Sequence, residues 1–343
     1  MPPTTAKRIQ AVAVTGPAAA GRHHAKKNHV SNVMNKGYYI FGPVPSRRLG
    51  RSLGIDLIPL KTCTYDCIYC QLGHTTKKTV ERREWVPLEE VIAELKEKLT
   101  TQPDFITLGG SGEPTLYSRI GELIDRISSM TDIPVAVLTN GSLLWREDVR
   151  DEIAEANLVI PSLDAGDAFM FKTVNRPHTD ISFKKMLEGL TAFRRKYSGE
   201  YWLEILLLAG YTAIQSEVSK LAACVKKISP DKVQLNTATR PPAEEYAVTV
   251  EHNRLNELAD RFDPPAEVIA DFRGVRYITE FNTGSEDIIH VLRRRPCTAG
   301  DIAAGLGMHL NEVAKYLEEL VARGKLEHYW VKGDVYYRHP SRQ

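Results

Sequence analysis

The chain has 343 residues, of which 43% are hydrophobic and 26% are charged. This ordinary globular composition excludes collagen-like repetition, disorder throughout the chain and a disulfide-stapled scaffold. The formal net charge of +2 conceals an asymmetry, because residues 1–55 carry nine Lys and Arg residues and no Asp or Glu, whereas residues 56–343 carry a net charge of −7. The basic isoelectric point therefore does not indicate that the folded body binds nucleic acid.

Residues 1–37 are rich in Ala, Lys, His, Thr and Pro without a sustained period, which predicts a disordered basic leader. From residue 38 to residue 240, strand-like and helix-like segments alternate, which predicts parallel βα units. The predicted strands are 53–59, 105–108, 135–139, 158–163, 201–209 and 232–236, and the predicted helices are 87–100, 117–130, 147–156, 181–197 and 217–228. Six such strands favour a barrel or part of one, with the chemistry at the carboxyl ends of the strands.

The remainder of the chain predicts two further parts. Residues 241–284 predict a connector packed on the barrel, with a helix at 250–262 and a strand or packed segment at 266–281. Residues 285–343 predict a winged helix-turn-helix, because helical patterns at 287–294, 299–305 and 310–323 precede a hairpin of 326–331 and 335–338. This part has a net charge of only +1, and its third helix carries Glu312, Glu318 and Glu319. It is therefore expected to pack, to present substrate or to bind protein, and DNA binding is disfavoured.

Three of the five cysteines, Cys63, Cys67 and Cys70, are spaced C-x3-C-x2-C directly after a predicted strand. Thiolates are the usual protein ligands of iron–sulfur clusters, and a short loop can place three sulfurs around one face of a cubane, leaving one iron without a protein ligand. Two alternatives stay open: a zinc site that takes His74 as its fourth ligand, and free structural cysteines. The odd cysteine count favours a reducing cytoplasm. No membrane contact is expected, because the most apolar stretch, 201–211, is too short to span a bilayer.

The triplet and three companion segments resemble the radical SAM superfamily. An aromatic residue, here Tyr69, precedes the last cysteine, and LGGSGEP (108–114), LTNG (138–141) and SLDA (162–165) follow the second, third and fourth predicted strands. The resemblance covers residues 38–236 and implies a partial (β/α)6 barrel. It also implies a [4Fe–4S] cluster on the three cysteines and S-adenosylmethionine bound at the open iron. In such enzymes the reduced cluster splits S-adenosylmethionine, and the resulting 5′-deoxyadenosyl radical abstracts hydrogen from a substrate.

The resemblance also implies a set of cofactor-binding residues at the strand ends, where small or polar side chains leave room for the cofactor and offer it hydrogen bonds. They are Tyr69, Gly110, Gly112, Glu113, Thr139, Asn140, Ser162 and Asp164. Each has a structural alternative. The glycines suit a tight βα turn, Asn140 and Asp164 suit helix N-caps, and Tyr69 suits core packing.

Residues 39–54, 233–237 and 240–242 resemble the wyosine-synthase-like group of the superfamily. True wyosine synthases carry a second cluster on three N-terminal cysteines, whereas this chain has no cysteine before Cys63. A single cluster is therefore expected, and the substrate stays open among an RNA base, a peptide and a small metabolite. The resemblance further implies an external electron donor of the flavodoxin or ferredoxin type.

The substrate-side candidates are charged residues expected near the mouth of the barrel: Arg47, Arg48, Arg51, Lys172, Arg176, Glu204 and Arg240. The arginines can bind an anion, with solvation at the surface as the alternative. Glu204 interrupts an apolar strand, so its carboxylate must find a partner or face a cavity. A competing hypothesis keeps the cluster but makes the protein a regulator that binds DNA through the winged helix.

Overall fold

The computed structural model describes residues 39–46, 48–270, 285–306, 308, 310–331 and 333–340. The predicted leader, Arg47 and residues 271–284 of the predicted connector lie outside the described residues. The strands are β1 Ile40–Ser46, β2 Gly50–Ile55, β3 Thr62–Cys63, β4 Lys77–Lys78, β5 Phe105–Leu108, β6 Val135–Thr139, β7 Leu158–Pro161, β8 Glu200–Leu207, β9 Lys232–Thr237, β10 Glu267–Val268, β11 Cys297–Thr298, β12 Glu327–Val331 and β13 Asp334–Arg338.

The helices follow the predicted periodicity closely. They are α1 Leu88–Lys98, α2 Ile120–Met130, α3 Glu147–Ile153, α4 Ala168–Val174, α5 Phe183–Lys196, α6 Gln215–Ile228, α7 His252–Ala259, α8 Ser285–Arg294, α9 Ala299–Leu306 and α10 Leu310–Ala322. Two short 3-10 turns are also present: Leu99–Thr101 directly follows α1, and Pro114–Leu116 lies between β5 and α2. In each amphipathic helix the apolar residues recur every three or four positions and are the ones that become buried.

Within the described residues, eight strands form one sheet in the order β1-β2-β5-β6-β7-β8-β9-β10. Strands β2 and β5 to β9 are parallel and neighbour one another in chain order, which confirms the predicted parallel α/β architecture. Strand β1 is antiparallel to β2 at one edge, and β10 is parallel to β9 at the other. Because these six strands run in the same direction, their carboxyl ends lie together at one end of the strands.

The two faces of the sheet differ in what covers them. In β8, Leu203, Ile205 and Leu207 join the main apolar core that includes the buried faces of the helices. Trp202 packs on the opposite, inner face in a small cluster that includes Ala136. Because side chains alternate along a strand, Glu204 also lies on the inner face.

Apart from two-residue strands and a 3-10 turn, two elements are absent from the prediction, β1 and α4. Strand β1 was not expected, because its sequence IFGPVPS contains a glycine and two prolines, and such residues are tolerated only at a sheet edge. The stretch between the predicted strand 158–163 and the predicted helix 181–197, for which no element is predicted, contains helix α4, and Lys172 lies in this helix. Asp167 begins this helix by accepting a hydrogen bond from the backbone N–H of Met170 at 2.8 Å.

The last part of the chain, called here the C-terminal segment (residues 285–340), has its own apolar core around Ile288, Leu292 and Leu317. It contains α8, α9 and α10 and an antiparallel sheet in the order β11-β13-β12. Helices α8 and α9 pack against β1. On the other side, the Tyr336 hydroxyl donates to the backbone carbonyl of Thr239, just beyond β9, at 3.5 Å. The segment therefore contacts residues at both edges of the parallel sheet.

Candidate active site

The cysteine triplet lies in a loop beside the carboxyl ends of the strands. Strand β3 bridges to Gly112, which follows β5. The loop is fastened on both sides: the N–H of Ile68 donates to the carbonyl of Val174 at 2.9 Å, and the N–H of Glu244 donates to the carbonyl of Ile68 at 2.9 Å. These backbone bonds fix the path of the loop independently of any bound group.

Two carboxamides point at the sulfurs of this loop. The Nδ2 of Asn140 donates to the Sγ of Cys63 at 3.6 Å, and the Nδ2 of Asn175 donates to the Sγ of Cys67 at 3.5 Å. Burial raises the pKa of Cys63 to about 12 and raises the pKa of Cys67 well above its ordinary value. A thiol in this setting becomes a thiolate when a metal binds it, and N–H donors to the sulfur then stabilise the negative charge.

These residues fit a [4Fe–4S] cluster. The cysteines are free of disulfides, and each ligand of a cubane binds a different iron. For the zinc alternative, no group of three His, Cys, Asp or Glu side chains in the part of the chain that the structure describes is arranged to hold a single metal ion. The ring of His74, the fourth ligand of that alternative, is 53% exposed, and its nitrogens lie near Asp66 and Glu244.

Buried polar atoms remain beside the loop for a bound group. Among the described residues, the Oδ1 of Asn175 and the hydroxyl of Tyr65 are buried without a hydrogen-bond partner. Asn175 is only 2% exposed. Buried polar atoms are rarely left unpaired in folded proteins, so this position suits a polar cofactor.

The glycine-rich segment is packed tightly against its own chain. A Cβ atom at Gly110 would lie 2.7 Å from the Cγ of Asp56, and a Cβ at Gly112 would lie 1.9 Å from the carbonyl oxygen of Thr62. The expectation was that these glycines let the backbone approach the cofactor. Their missing side chains make room for Asp56 and Thr62, so protein packing by itself already requires both glycines, and the predicted contact of their backbone with the cofactor stays a prediction.

Glu113 is a buried carboxylate whose acceptors are filled by the protein. One oxygen accepts from the hydroxyls of Thr115 and Thr139, both at 2.6 Å, and the other accepts from the N–H of Asn140 at 2.7 Å. Burial raises the pKa of Glu113. Glu113 and Thr139 therefore hold the backbone of Asn140 in place, so that the Asn140 carboxamide reaches Cys63.

Asp164 lies behind the second half of the cysteine loop. Its carboxylate accepts from the hydroxyl of Tyr69, from the Nδ2 of Asn175 at 2.9 Å and from the N–H of Leu206 at 3.1 Å. Burial raises the pKa of Asp164 to about 6. The N-cap alternative is wrong for Asp164, because Asp167 caps α4. It is also wrong for Asn140, because Arg146 precedes α3.

Asn175 is a site residue that the sequence did not reveal. It ends α4 and links Cys67, Tyr69 and Asp164. Ser162, another predicted cofactor residue, follows β7, and its N–H donates to the carbonyl of Thr139 at 3.0 Å. The structure thus places Tyr69, Asn140 and Asp164 around the cysteine loop, with Asn175 as the added member. Thr139 and Ser162 adjoin this set at the ends of β6 and β7.

Arg48 and Glu204 form an ion pair of 2.6 Å on the inner face of the sheet. Glu204 also accepts from the Nδ2 of Asn236 at 2.8 Å, and both charged side chains are less than 20% exposed. The Glu204 carboxylate, which interrupts the apolar part of β8, therefore has a cationic partner.

Two of the predicted cationic candidates lie away from this pair. Arg51 stands at the amino end of β2, and its guanidinium donates to the carbonyls of Thr101 at 2.7 Å and Gln102 at 3.2 Å. It thus binds backbone carbonyls that follow α1, at the end of the sheet opposite the cysteine loop. Lys172 is exposed on α4. Arg47 lies outside the described residues.

The two remaining candidates adjoin the cysteine loop. Arg176 follows α4 and pairs with Glu244 at 2.7 Å. Arg240 is half-buried, and its guanidinium donates at 3.0 Å to the Oε1 of Gln71, the residue that follows Cys70. Arg240 also lines a polar cavity of about 410 Å³ between the end of β9 and the C-terminal segment. Its other lining residues include Thr239, His252, Asp301 and Tyr336.

Comparison with known proteins gives three findings. The family model described as "Radical SAM superfamily" matches residues 57–222. The UPF0026 protein MJ1312 of Methanocaldococcus jannaschii is 35% identical over 306 residues, which cover 87% of this chain and 94% of that protein. A protein of Brachyspira hyodysenteriae named GTPase Obg is 42% identical over 303 residues, and this chain spans 45% of its length.

Among solved structures, a radical SAM methyltransferase from Sphaerobacter thermophilus is similar over 63% of this chain and 66% of that chain, with a TM-score of 0.48 and 15% identity. No helix among the described residues is long and apolar enough to cross a membrane.

Proposed function

Because this chain belongs to the radical SAM superfamily and to the UPF0026 family, we propose that it cleaves S-adenosylmethionine reductively at a single [4Fe–4S] cluster on Cys63, Cys67 and Cys70. When bound, this cluster and S-adenosylmethionine supply a 5′-deoxyadenosyl radical that abstracts hydrogen from the substrate. One observation carries the proposal: carboxamide N–H groups donate to the Sγ atoms of Cys63 and Cys67, at 3.6 and 3.5 Å. The loop that holds these sulfurs is fixed by backbone hydrogen bonds to neighbouring segments.

The polar residues around the loop have distinct tasks in this proposal. Asn140 and Asn175 direct N–H groups at the thiolates, and Glu113 holds Asn140 in place. Asp164 orients Tyr69 and Asn175 through its hydrogen bonds. The remaining cofactor contacts are assigned to Gly110, Gly112, Thr139 and Ser162, whose backbone or side chains face the same strand ends.

The inner face of the sheet is the proposed substrate side. The Arg48–Glu204 pair and Asn236 line it with polar groups in a setting of low exposure, where charged hydrogen bonds discriminate strongly between ligands. Arg176 and Arg240 adjoin the loop and complete the set of substrate candidates. The substrate class stays open among an RNA base, a peptide and a metabolite.

The element order of the C-terminal segment, three helices with a three-stranded antiparallel sheet, supports its interpretation as a winged helix-turn-helix at 285–343, after a barrel at 38–240 and a connector at 241–284. We assign it a packing role, because it contacts β1 and the end of β9.

An external flavodoxin or ferredoxin is the proposed electron donor. The five free cysteines suit a cytoplasmic location.

The test is anaerobic reconstitution with iron and sulfide, followed by dithionite and S-adenosylmethionine, with 5′-deoxyadenosine measured by chromatography. The wild-type protein should release 5′-deoxyadenosine, and the Cys63→Ser, Cys67→Ser and Cys70→Ser variants should not. Cys224→Ser is the matched control, because this buried thiol lies on α6 away from the triplet. Absence of the product from a protein with a full, reduced cluster would overturn the proposal. Cluster-dependent binding of duplex DNA at low salt would support the regulator instead.

A further inference from the structure

Arg294, at the end of α8, reaches from the C-terminal segment to the end of strand β2. Its guanidinium lies 4.0 Å above the ring of Phe41, and its Nε lies 3.6 Å from the Oδ2 of Asp56. The side chains of Arg294 and Asp56 are only 15% and 12% exposed. This contact is therefore a largely desolvated ion pair between two distant parts of the chain.

Asp56 in turn holds the glycine-rich segment that follows β5. Its Oδ1 accepts from the backbone N–H of Ser111 at 3.0 Å, and its Oδ2 accepts from the Ser111 hydroxyl at 2.5 Å. The carboxyl carbon also fills the space where a side chain at Gly110 would stand. A shift of the Asp56 carboxylate must therefore move the backbone at residues 110 and 111.

The positive charge of Arg294 lies beside the Asp56 carboxylate where both side chains are largely removed from water. A carboxylate that is removed from water loses much of its hydration, and a nearby cation compensates for that loss. Without the guanidinium, the Asp56 carboxylate keeps the two Ser111 donors among its partners in the described residues, and a carboxylate with fewer partners in a setting of low exposure is drawn towards solvent. Such a shift releases the backbone that Asp56 holds.

We propose that Arg294 is a positioning residue for S-adenosylmethionine: through Asp56 it fixes Ser111 and Gly110, and it thereby couples cofactor affinity to the docking of the C-terminal segment. This inference rests on the proposed function, in which the segment from Gly110 to Glu113 faces the cofactor. It assigns the C-terminal segment a part in cofactor binding without any contact of its own with the cofactor.

The experiment compares the full-length Arg294→Gln, Arg294→Lys and Arg293→Gln variants, reconstituted anaerobically to equal iron content. Arg293→Gln removes the same charge one position earlier on α8. The dissociation constant for S-adenosylmethionine, measured by equilibrium dialysis, should rise about fivefold or more in Arg294→Gln. It should change little in Arg293→Gln, and the lysine variant should recover most of the affinity. In Asp56→Asn protein, Arg294→Gln should have little further effect, because the pair acts through one carboxylate.

A second readout separates positioning from general stability. Amide hydrogen exchange of residues 108–113 in cluster-free protein should be faster in Arg294→Gln than in Arg293→Gln or in Tyr336→Phe, which loosens the opposite contact of the C-terminal segment. Equal affinity and equal exchange in all three variants would overturn the inference while leaving the proposed function standing. A wild-type protein that carries a full cluster and does not bind S-adenosylmethionine would overturn the proposed function itself.

Discussion

At the scale of one residue, Asn175 shows how a side chain directs a hydrogen-bond donor at a cysteine sulfur of the candidate cluster site. Its carboxamide nitrogen donates to the Sγ of Cys67, and the same group also reaches Tyr69 and Asp164. Because α4 ends at this residue and Asp164 holds the amide, the N–H direction is fixed before any cluster binds. A hydrogen bond to a cluster thiolate stabilises the reduced, more negative state more than the oxidised state.

We therefore expect Asn175→Ala to lower the reduction potential of the reconstituted cluster. A differential loss of about 1 kcal/mol corresponds to roughly 40 mV for a one-electron couple. Redox titration followed by electron paramagnetic resonance measures this shift. Lys172→Ala, an exposed change on the same helix, is the control and should leave the potential unchanged. An unaltered potential in Asn175→Ala at equal iron content would contradict the assignment.

Single residues also show which parts of the candidate site could be predicted from the sequence. The cysteine triplet is a local pattern, so its position and its companions after β5, β6 and β7 could be predicted. Asn175 stands 108 positions from Cys67 in a stretch that was expected to be a loop, and no local pattern marks such a partner. Gly110 and Gly112 were found, but the neighbours that require them, Asp56 and Thr62, depend on the folded arrangement.

At the scale of elements, continuous apolar runs decided which strands were predictable. Strands β5, β6 and β7 are buried on both faces along most of their length and are short apolar segments. Strand β1 was missed because its glycine and prolines are typical of turns. Helix α4 has only seven residues, too few for a clear period, and its beginning depends on the Asp167 cap. Short elements held by capping and edge pairing are therefore the ones that periodicity does not reveal.

Helix α5 gives a prediction in which packing opposes helix propensity. A Cβ atom at Gly189 would lie 2.3 Å from the backbone nitrogen of Trp145. Gly189→Ala should therefore destabilise the fold by about 2 kcal/mol through overpacking, although alanine favours a helix by about 1 kcal/mol over glycine. Gly305→Ala in α9 is the matched control, because a Cβ there would meet no atom of the described residues within 4 Å. It should be neutral or slightly stabilising.

Urea denaturation followed by circular dichroism measures both changes. A Gly189→Ala protein that is as stable as the wild type would mean that the α5 contact with the segment before α3 yields easily. A clear loss in Gly305→Ala would mean that the glycine in α9 serves a contact absent from the structure.

At the scale of the whole molecule, the C-terminal segment was predictable as a set of helices and a hairpin, but its docking was not. The contacts that attach it, Arg294 with Asp56 and Tyr336 with Thr239, join residues that are far apart in the sequence. The net charge of +1 for residues 285–343 indicated poor DNA binding. It is compatible with a segment in which one arginine forms an internal ion pair. Long-range pairing of this kind follows from the assembled fold and leaves no local pattern.

The arrangement of the whole molecule also leads to a prediction about the stability of the protein without its cluster. The main apolar core lies between the sheet and the helices and includes none of the three cysteines among its fully buried members. The loop that carries them is held by backbone bonds to Val174, Asn175 and Glu244. The triple variant Cys63→Ser, Cys67→Ser and Cys70→Ser should therefore stay folded, with a melting temperature within about 4 °C of cluster-free wild-type protein, or roughly 1–2 kcal/mol.

Circular dichroism and thermal unfolding under anaerobic conditions measure this difference. Cluster-free wild-type protein is the appropriate reference, because a bound cluster adds its own binding free energy to the folded state. A triple variant that lacks native secondary structure would show that the sulfurs hold the fold together, as a structural zinc site would. A folded variant without 5′-deoxyadenosine formation would assign the three sulfurs to the reaction alone, because the backbone bonds of the loop suffice to place them.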